Sequence, residues 1–183
     1  MAMMDYPRVD VTGIPSPAIL VFRTLLEHNL DQMLAIAGSP DRLRPHCKTH
    51  KTREIVKLLL ERSVQRHKCA TVRETAMCIE AGARDIVLAY QLVGPMVEQL
   101  VHLAAQHRNV ELSTLVDCAE AAEWLACAAK AAGVTVGVMV DLDTGLHRTG
   151  LPVGEEAMKL YRHVAQLPGL RPAGLHVYDA QNN

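Results

Sequence analysis

The chain has 183 residues, of which 19 are basic and 20 acidic, and its formal net charge is −1. This balance gives no reason to expect nucleic acid or an anionic membrane surface as a partner. No apolar stretch is long enough to cross a bilayer, and the N-terminal residues do not form a signal peptide. The five cysteines are odd in number and include no CxxC pair, which favours buried free thiols in a reducing cytoplasm over a zinc site.

Short apolar runs alternate with longer helical segments along the chain. The pattern predicts seven strands, over residues 18–22, 42–47, 67–70, 85–89, 110–116, 134–142 and 170–178. Helices are predicted between them, over residues 24–37, 52–63, 72–81, 95–107, 118–132 and 154–166. This alternation predicts a parallel α/β fold, and both an open doubly wound sheet and a (β/α)8 barrel fit it.

Two observations favour a TIM-type (β/α)8 barrel. No glycine-rich dinucleotide fingerprint follows a strand, which weakens the doubly wound alternative. Reactive side chains stand at several predicted strand ends, as they do around a barrel's active site; these are Lys48, Asp141, His176 and Tyr178. A complete barrel needs about 250 residues, so we expect an incomplete barrel that is part of a larger protein. Pro45 predicts irregular pairing in the second strand, because proline donates no ladder hydrogen bond.

The segment Leu43–Lys51 reads LRPHCKTHK and crowds positive charge around Lys48. In an extended strand, Arg44, His46 and Lys48 would share one face. Cationic neighbours and partial burial both favour the neutral, nucleophilic form of an amine. Such an amine can form a Schiff base with a carbonyl, most usefully with pyridoxal phosphate (PLP). The alternative from this segment alone is a solvated basic strand end.

Three segments together resemble the PLP-dependent, fold-type III enzymes related to alanine racemase, in particular the D-threonine aldolase and D-serine dehydratase branch. They are RPHCKTHK (Arg44–Lys51), DLDTGLHRTG (Asp141–Gly150) and GLHVYD (Gly174–Asp179). The order and spacing match over most of residues 15–180. The resemblance implies the alanine racemase N-terminal barrel, with six of its eight strands present here. It also implies that residues 1–22 are an N-terminal segment and strand of a second, mostly β domain, and that residues 23–183 are a partial PLP-binding barrel.

The same resemblance implies roles for four side chains. Lys48 would carry PLP as a Schiff base and act as the catalytic residue. Arg148 would hydrogen-bond the phenolic oxygen of PLP, Tyr178 would lie against the pyridine ring, and His176 would lie below it. The family's divalent metal (Mn or Zn) is held by residues of the second domain, so no metal ligand is predicted in this chain. Family members are commonly dimers, which implies a homodimer.

The leading hypothesis is therefore a PLP-dependent lyase of D-amino acid metabolism. It would act on small D-configured β-hydroxy amino acids, by aldol cleavage or by dehydration. One alternative is a truncated, non-catalytic PLP-binding remnant, and another is an amino-acid racemase. A third alternative is a barrel that binds a phosphorylated metabolite without PLP, which would tolerate the loss of Lys48.

Overall fold

The computed structural model describes residues 7–182. The predicted regions 1–22 and 23–183 each extend beyond it, because residues 1–6 and residue 183 lie outside the described residues. The α-helices of the described chain are α1 Arg23–Ala37, α2 Arg53–Glu61, α3 Val72–Ala81, α4 Pro95–Gln106, α5 Ala119–Ala131 and α6 Glu155–Gln166. Its strands are β1 Arg66–Cys69, β2 Asp85–Gln91, β3 Glu111–Val116, β4 Val136–Asp143, β5 Leu151–Pro152 and β6 Leu170–Val177.

The strands form one parallel sheet whose spatial order follows the chain. The long strands run β1-β2-β3-β4-β6, and the two-residue β5 pairs with the end of β4. A doubly wound sheet reverses its strand order at a switch point, whereas a barrel adds each strand beside the previous one. The observed order confirms the prediction of a partial alanine racemase-type barrel over the doubly wound alternative.

The helices cover the outer face of the sheet. On β4, Val136, Val138 and Val140 are fully buried in the core between sheet and helices. The other face of β4 carries Gly137 and Asp141, because successive side chains of a strand point to opposite faces. The inner face is therefore less apolar than the outer one, and its polar side chains are where the site is built.

Helix α3 illustrates how local sequence sets an element's ends. The Thr71 hydroxyl accepts a hydrogen bond from the Glu74 N–H at 3.1 Å and caps the first turn. Gly82 follows the helix with φ +112°, a conformation that costs glycine little. The predicted helix over residues 72–81 is confirmed.

Two predicted strands do not form. Residues 18–22 are not part of a strand in the described chain, and Ile19 is 83% exposed; a strand forms only where its backbone pairs with a neighbouring strand. The segment 42–47 forms a ladder only at a single bridge between His46 and Lys68, where the Lys68 N–H donates to the Pro45 carbonyl at 2.9 Å. Pro45 has no N–H with which to donate a second ladder hydrogen bond. The predicted irregular pairing is therefore present, and it is limited to one bridge.

Helix lengths also bear on membrane insertion. Among residues 7–182, no helix combines the length and the apolar character that crossing a bilayer would require.

Gly137 offers a test of inner-face packing. A Cβ at this position would lie 2.1 Å from Ser113 Oγ and 3.0 Å from Ser113 Cβ, both on β3. Gly137→Ala should therefore lower the free energy of unfolding by about 1–3 kcal/mol through overpacking. In a Ser113→Gly background the same substitution should cost at least about 1 kcal/mol less, because the clashing atoms are gone. Urea unfolding of the wild type, the two single variants and the double variant measures this coupling. Strictly additive changes in the free energy of unfolding would contradict it.

Candidate active site

Lys48 lies at the carboxyl-end side of the sheet, in a short 3-10 helix over Cys47–Thr49. This helix begins directly after the bridge between His46 and Lys68, and the Lys48 N–H donates to His46 Nδ1 at 3.3 Å. Lys48 is exposed. The alternation of side chains predicted for this segment therefore ends at His46, because the 3-10 helix begins at the next residue.

Two of the cations that flank Lys48 in sequence are neutralised in the fold. The Arg44 guanidinium makes two hydrogen bonds to the Asp85 carboxylate, at 2.6 and 3.0 Å. Lys51 pairs with Glu74, whose side chain is only 5% exposed. The net positive charge around Lys48 is therefore smaller than the number of basic residues in this segment indicates.

The two neighbouring histidines are biased towards their neutral forms. Burial lowers the pKa of His46, and the charges of Lys48 and Lys68 lower it further. Burial also lowers the pKa of His50, whose Nδ1 accepts a hydrogen bond from the Thr52 N–H at 3.1 Å. Both rings are therefore disposed to accept hydrogen bonds beside Lys48.

A hydrogen-bonded chain crosses the inner face of the barrel below Lys48. Lys68 Nζ lies 2.7 Å from His176 Nε2, and His176 Nδ1 lies 2.5 Å from Asp141 Oδ1. Lys68 is on β1 and His176 on β6, with three strands between them in the sheet. Their contact shows that the sheet curls into a barrel wall, since the ends of a flat sheet would be far apart.

The charges in this chain of contacts are shifted by their surroundings. Burial and the nearby charge of Lys48 lower the pKa of Lys68. Burial alone would raise the pKa of Asp141, but hydrogen bonds from His176 and Thr149 and the charge of Arg148 outweigh it, and the pKa is lowered. A carboxylate at Asp141 fixes the His176 proton on Nδ1, which leaves Nε2 as the acceptor for the Lys68 ammonium.

The loop after β4 positions Arg148. Asp143 Oδ1 accepts hydrogen bonds from the Gly145 and His147 N–H groups, both at 2.9 Å. These bonds hold the pKa of the Asp143 carboxyl at about 2. Gly150 closes the loop against β4 with φ +96°, so tightly that a Cβ would lie 2.8 Å from the Asp143 backbone nitrogen.

Arg148 and Tyr178 meet at the mouth of the barrel. The Arg148 guanidinium lies over the Tyr178 ring, 4.5 Å from its centroid, in a cation–π contact. Arg148 comes from the loop after β4 and Tyr178 from the residue just beyond β6. The sequence motifs that contain them are therefore adjacent in space.

Among the described residues, the structure brings two of the four predicted site residues, Arg148 and Tyr178, into direct contact, and it relates His176 and Lys48 to them only through Asp141 and Lys68. Arg148 contacts Tyr178, and its charge acts on Asp141, which is bonded to His176. His176 is bonded to Lys68, whose charge interacts with that of Lys48.

Sequence reasoning missed Lys68. It lies in the short segment HKCA, where His67 and Cys69 are buried on the outer face and Lys68 must therefore point inward. That alternation was the available signal, because a lysine on the inner face of a barrel strand needs a polar partner.

The chain matches the family model of the alanine racemase N-terminal domain over residues 23–183. The chain belongs to the alanine racemase N-terminal domain family. Membership accounts for the parallel barrel wall and for the collection of polar side chains at its carboxyl edge.

Known members of this family give closer similarities. A D-threonine aldolase from Arthrobacter sp. is 31% identical over 173 residues, which cover 94% of this chain and 45% of the relative. A 3-hydroxy-D-aspartate aldolase from Paracoccus denitrificans is 26% identical, over 96% of this chain and 46% of its own length. The crystal structure of D-threonine aldolase from Filomicrobium marinum superposes with a TM-score of 0.84 at 32% identity, covering 92% of this chain and 45% of that one. The chain spans about half the length of the curated relatives it matches.

Replacing Lys68 by methionine tests the ammonium on the inner face. Because the pKa of Lys68 is lowered from 10.5 on folding, the unfolded chain holds more protons between the lowered value and 10.5, and stability rises with pH across that interval. The free energy of unfolding of the wild type, relative to Lys68→Met, should therefore increase as the pH is raised towards the unfolded-state pKa of lysine. Urea unfolding at several pH values measures this difference.

Lys57→Met is the matched control, because Lys57 is an exposed lysine on α2. If the Lys68→Met difference changes with pH no more than the Lys57→Met difference does, folding does not perturb the Lys68 amine.

Proposed function

We propose that this chain forms the PLP-binding part of a lyase that acts on small D-configured β-hydroxy amino acids. The observation that carries the proposal is the cation–π contact between Arg148 and Tyr178, together with the hydrogen bonds that join Lys68, His176 and Asp141. Lys48 is close enough to Lys68 for its charge to lower the pKa of that amine. The similarity to aldolases of D-threonine and 3-hydroxy-D-aspartate supports the substrate class. Since the chain spans about half the length of these relatives, the activity is proposed for the whole protein that contains this barrel part.

The charges at the mouth fit an anionic cofactor. Lys48, Lys68 and Arg148 bring positive charge there, while the buried Asp141 carboxylate is bonded to His176 and Thr149. A phosphate ester, an ionised phenol oxygen and a substrate carboxylate would all be favoured at such a mouth.

Lys48 is the better of the two lysines of the motif for holding the cofactor. Within residues 7–182 its ammonium makes no ion pair, whereas Lys51 is paired with the buried Glu74. An amine held in an ion pair stays protonated and is not nucleophilic. Lys48 is therefore the amine that we assign to the PLP aldehyde.

Arg148 would hold the ionised phenolic oxygen of the cofactor. Its guanidinium stays charged at all relevant pH values and is oriented by the contact with the Tyr178 ring. The loop that carries it is fixed by the hydrogen bonds to Asp143 and by the close approach of Gly150 to β4. Tyr178 would in turn lie against the pyridine ring.

His176 and Lys68 would hold and transfer a proton near the pyridine ring of the cofactor. The PLP ring, when bound, supplies an electron sink for negative charge that develops on the substrate's α-carbon. His176 Nδ1 lies 2.5 Å from Asp141 Oδ1, and His176 Nε2 lies 2.7 Å from Lys68 Nζ. The pair can therefore move one proton between Nζ and Nε2 without changing the total charge of the layer.

The assignment of Lys48 predicts a specific covalent product. The purified chain titrated with PLP should develop the visible absorption of a protein-bound Schiff base, and borohydride should then fix the pyridoxyl group on Lys48. Peptide mass mapping locates the adduct. Lys48→Ala should abolish both the absorption band and the labelled peptide.

Lys51→Ala is the matched control, since it is three residues away and carries the same functional group. It should retain the band and the Lys48 adduct. Labelling spread over surface lysines, or an adduct that persists elsewhere in Lys48→Ala, would contradict the assignment.

The proposed reaction class predicts the products from D-threonine. With PLP and Mn²⁺ present, carbon–carbon cleavage should yield glycine and acetaldehyde in equal amounts, while dehydration should yield 2-oxobutanoate and ammonia in equal amounts. L-threonine should not react. Chromatographic product analysis of the whole protein, including the second domain, beside its Lys48→Ala variant measures this, and formation of L-allo-threonine alone would indicate a racemase and overturn the lyase proposal.

A further inference from the structure

Three cysteines far apart in the sequence converge next to a buried carboxylate. Cys47 comes from the 3-10 helix, Cys69 ends β1, and Cys78 lies on α3. Each of the three is at most 1% exposed. Glu74 stands one turn before Cys78 on α3 and is 4% exposed, so both face the same cluster. We call these four residues the thiol cluster.

We propose that the thiol cluster binds one soft divalent cation, with Zn²⁺ as the natural occupant. Cys47 Sγ lies 3.6 Å from Cys69 Sγ, Cys69 Sγ lies 3.6 Å from Cys78 Sγ, and all three sulfurs lie within 4.8 Å of one another. Tetrahedral zinc with Zn–S bonds of about 2.3 Å sets its sulfurs about 3.7–3.8 Å apart. The sulfurs therefore already have nearly the spacing that the ion requires.

The carboxylate distinguishes this cluster from thiols that are merely packed together. Glu74 Oε2 lies 3.6 Å from Cys47 Sγ. Tetrahedral zinc with a Zn–O bond of about 2.0–2.1 Å would place a ligand oxygen about 3.5–3.6 Å from a ligand sulfur. A charged group is costly in an apolar core, and a cation bound to it would lower that cost. Glu74 groups within 4.8 Å with Cys47 and His46 and not with all three sulfurs, so its carboxylate would turn towards Cys69 and Cys78 to act as the fourth ligand.

The ligand set also has an outer shell and an adjoining groove. The Ala70 N–H donates to Glu74 Oε2 at 2.8 Å, and Lys51 binds the other carboxylate oxygen. These contacts fix the carboxylate and offset part of the negative charge that three thiolates would bring. Glu74 also borders a groove of 570 Å³ between α2 and α3, so the groove reaches one residue of the cluster.

This site does not depend on the proposed reaction, and it differs from the divalent metal of the family, whose ligands lie in another domain. Its effect would be local. Cys47 directly precedes Lys48, so a bound ion would fix the 3-10 helix onto β1 and α3 and hold the lysine in register. The soft thiolate donors favour zinc over Mg²⁺, Ca²⁺ or Mn²⁺.

Cobalt substitution tests the proposal on the full chain, kept reduced and stripped of metal with a chelator. Anaerobic Co²⁺ should bind one ion per chain, with intense thiolate-to-cobalt charge-transfer absorption and the visible bands of tetrahedral cobalt. Zn²⁺ should displace it. Cys78→Ala should lose the charge-transfer absorption, and Glu74→Gln should weaken binding at least about tenfold. Cys127→Ala, which removes an exposed cysteine outside the cluster, should bind like the wild type.

X-ray absorption spectroscopy of the zinc-loaded wild type keeps the test decisive if Cys78→Ala fails to fold. Three sulfur neighbours and one oxygen neighbour are expected around the ion. A first shell of only nitrogen and oxygen, no charge-transfer absorption in the wild type, or equal absorption in a folded Cys78→Ala would overturn the proposal.

Discussion

The hydrogen-bonded chain from Lys68 through His176 to Asp141 is the constraint on which this barrel wall depends. Its ends belong to β1 and β4, and its middle to β6. A half-buried ammonium and a buried carboxylate are each costly alone, and the histidine between them is within hydrogen-bonding distance of both. The chain therefore specifies how far the sheet must curl, because only one curvature brings the three groups within hydrogen-bonding distance.

This layer also sets the charge at the mouth above it. The Asp141 carboxylate is hydrogen-bonded to His176 and Thr149. The Arg148 guanidinium makes no ion pair among the described residues and stacks on the Tyr178 ring. At the amino end of β2, Asp85 neutralises Arg44. Lys68 and Arg148 leave positive charge near the carboxyl ends of β1 and β4. The ion pairs and hydrogen bonds of these side chains, more than the number of basic residues, decide where positive charge remains on this nearly neutral protein.

Local signals were sufficient for the helices and for the outer face of the sheet. Helix α3 was placed between residues 72 and 81 because an apolar periodicity and Gly82 lie within one short window. The strand over residues 42–47 failed because Pro45 cannot complete a ladder, and the strand over residues 18–22 failed because strand formation depends on a neighbour that propensity does not reveal. The site motifs are recognisable in the sequence by their resemblance to a known family. The contact between His176 and Lys68 is not, since it joins residues 108 positions apart.

Lys48 and Lys51 show why residue type near a site is weaker information than pairing. Both stand in one basic segment, and by sequence both have the same cationic neighbours. The fold turns Lys51 onto Glu74, through a backbone with φ +50°, and leaves Lys48 exposed at the mouth. A positive φ is unusual for lysine and costs about 1 kcal/mol, which the ion pair with a buried carboxylate can offset. The buried carboxylate thus separates two chemically identical amines into a structural cation and a free one.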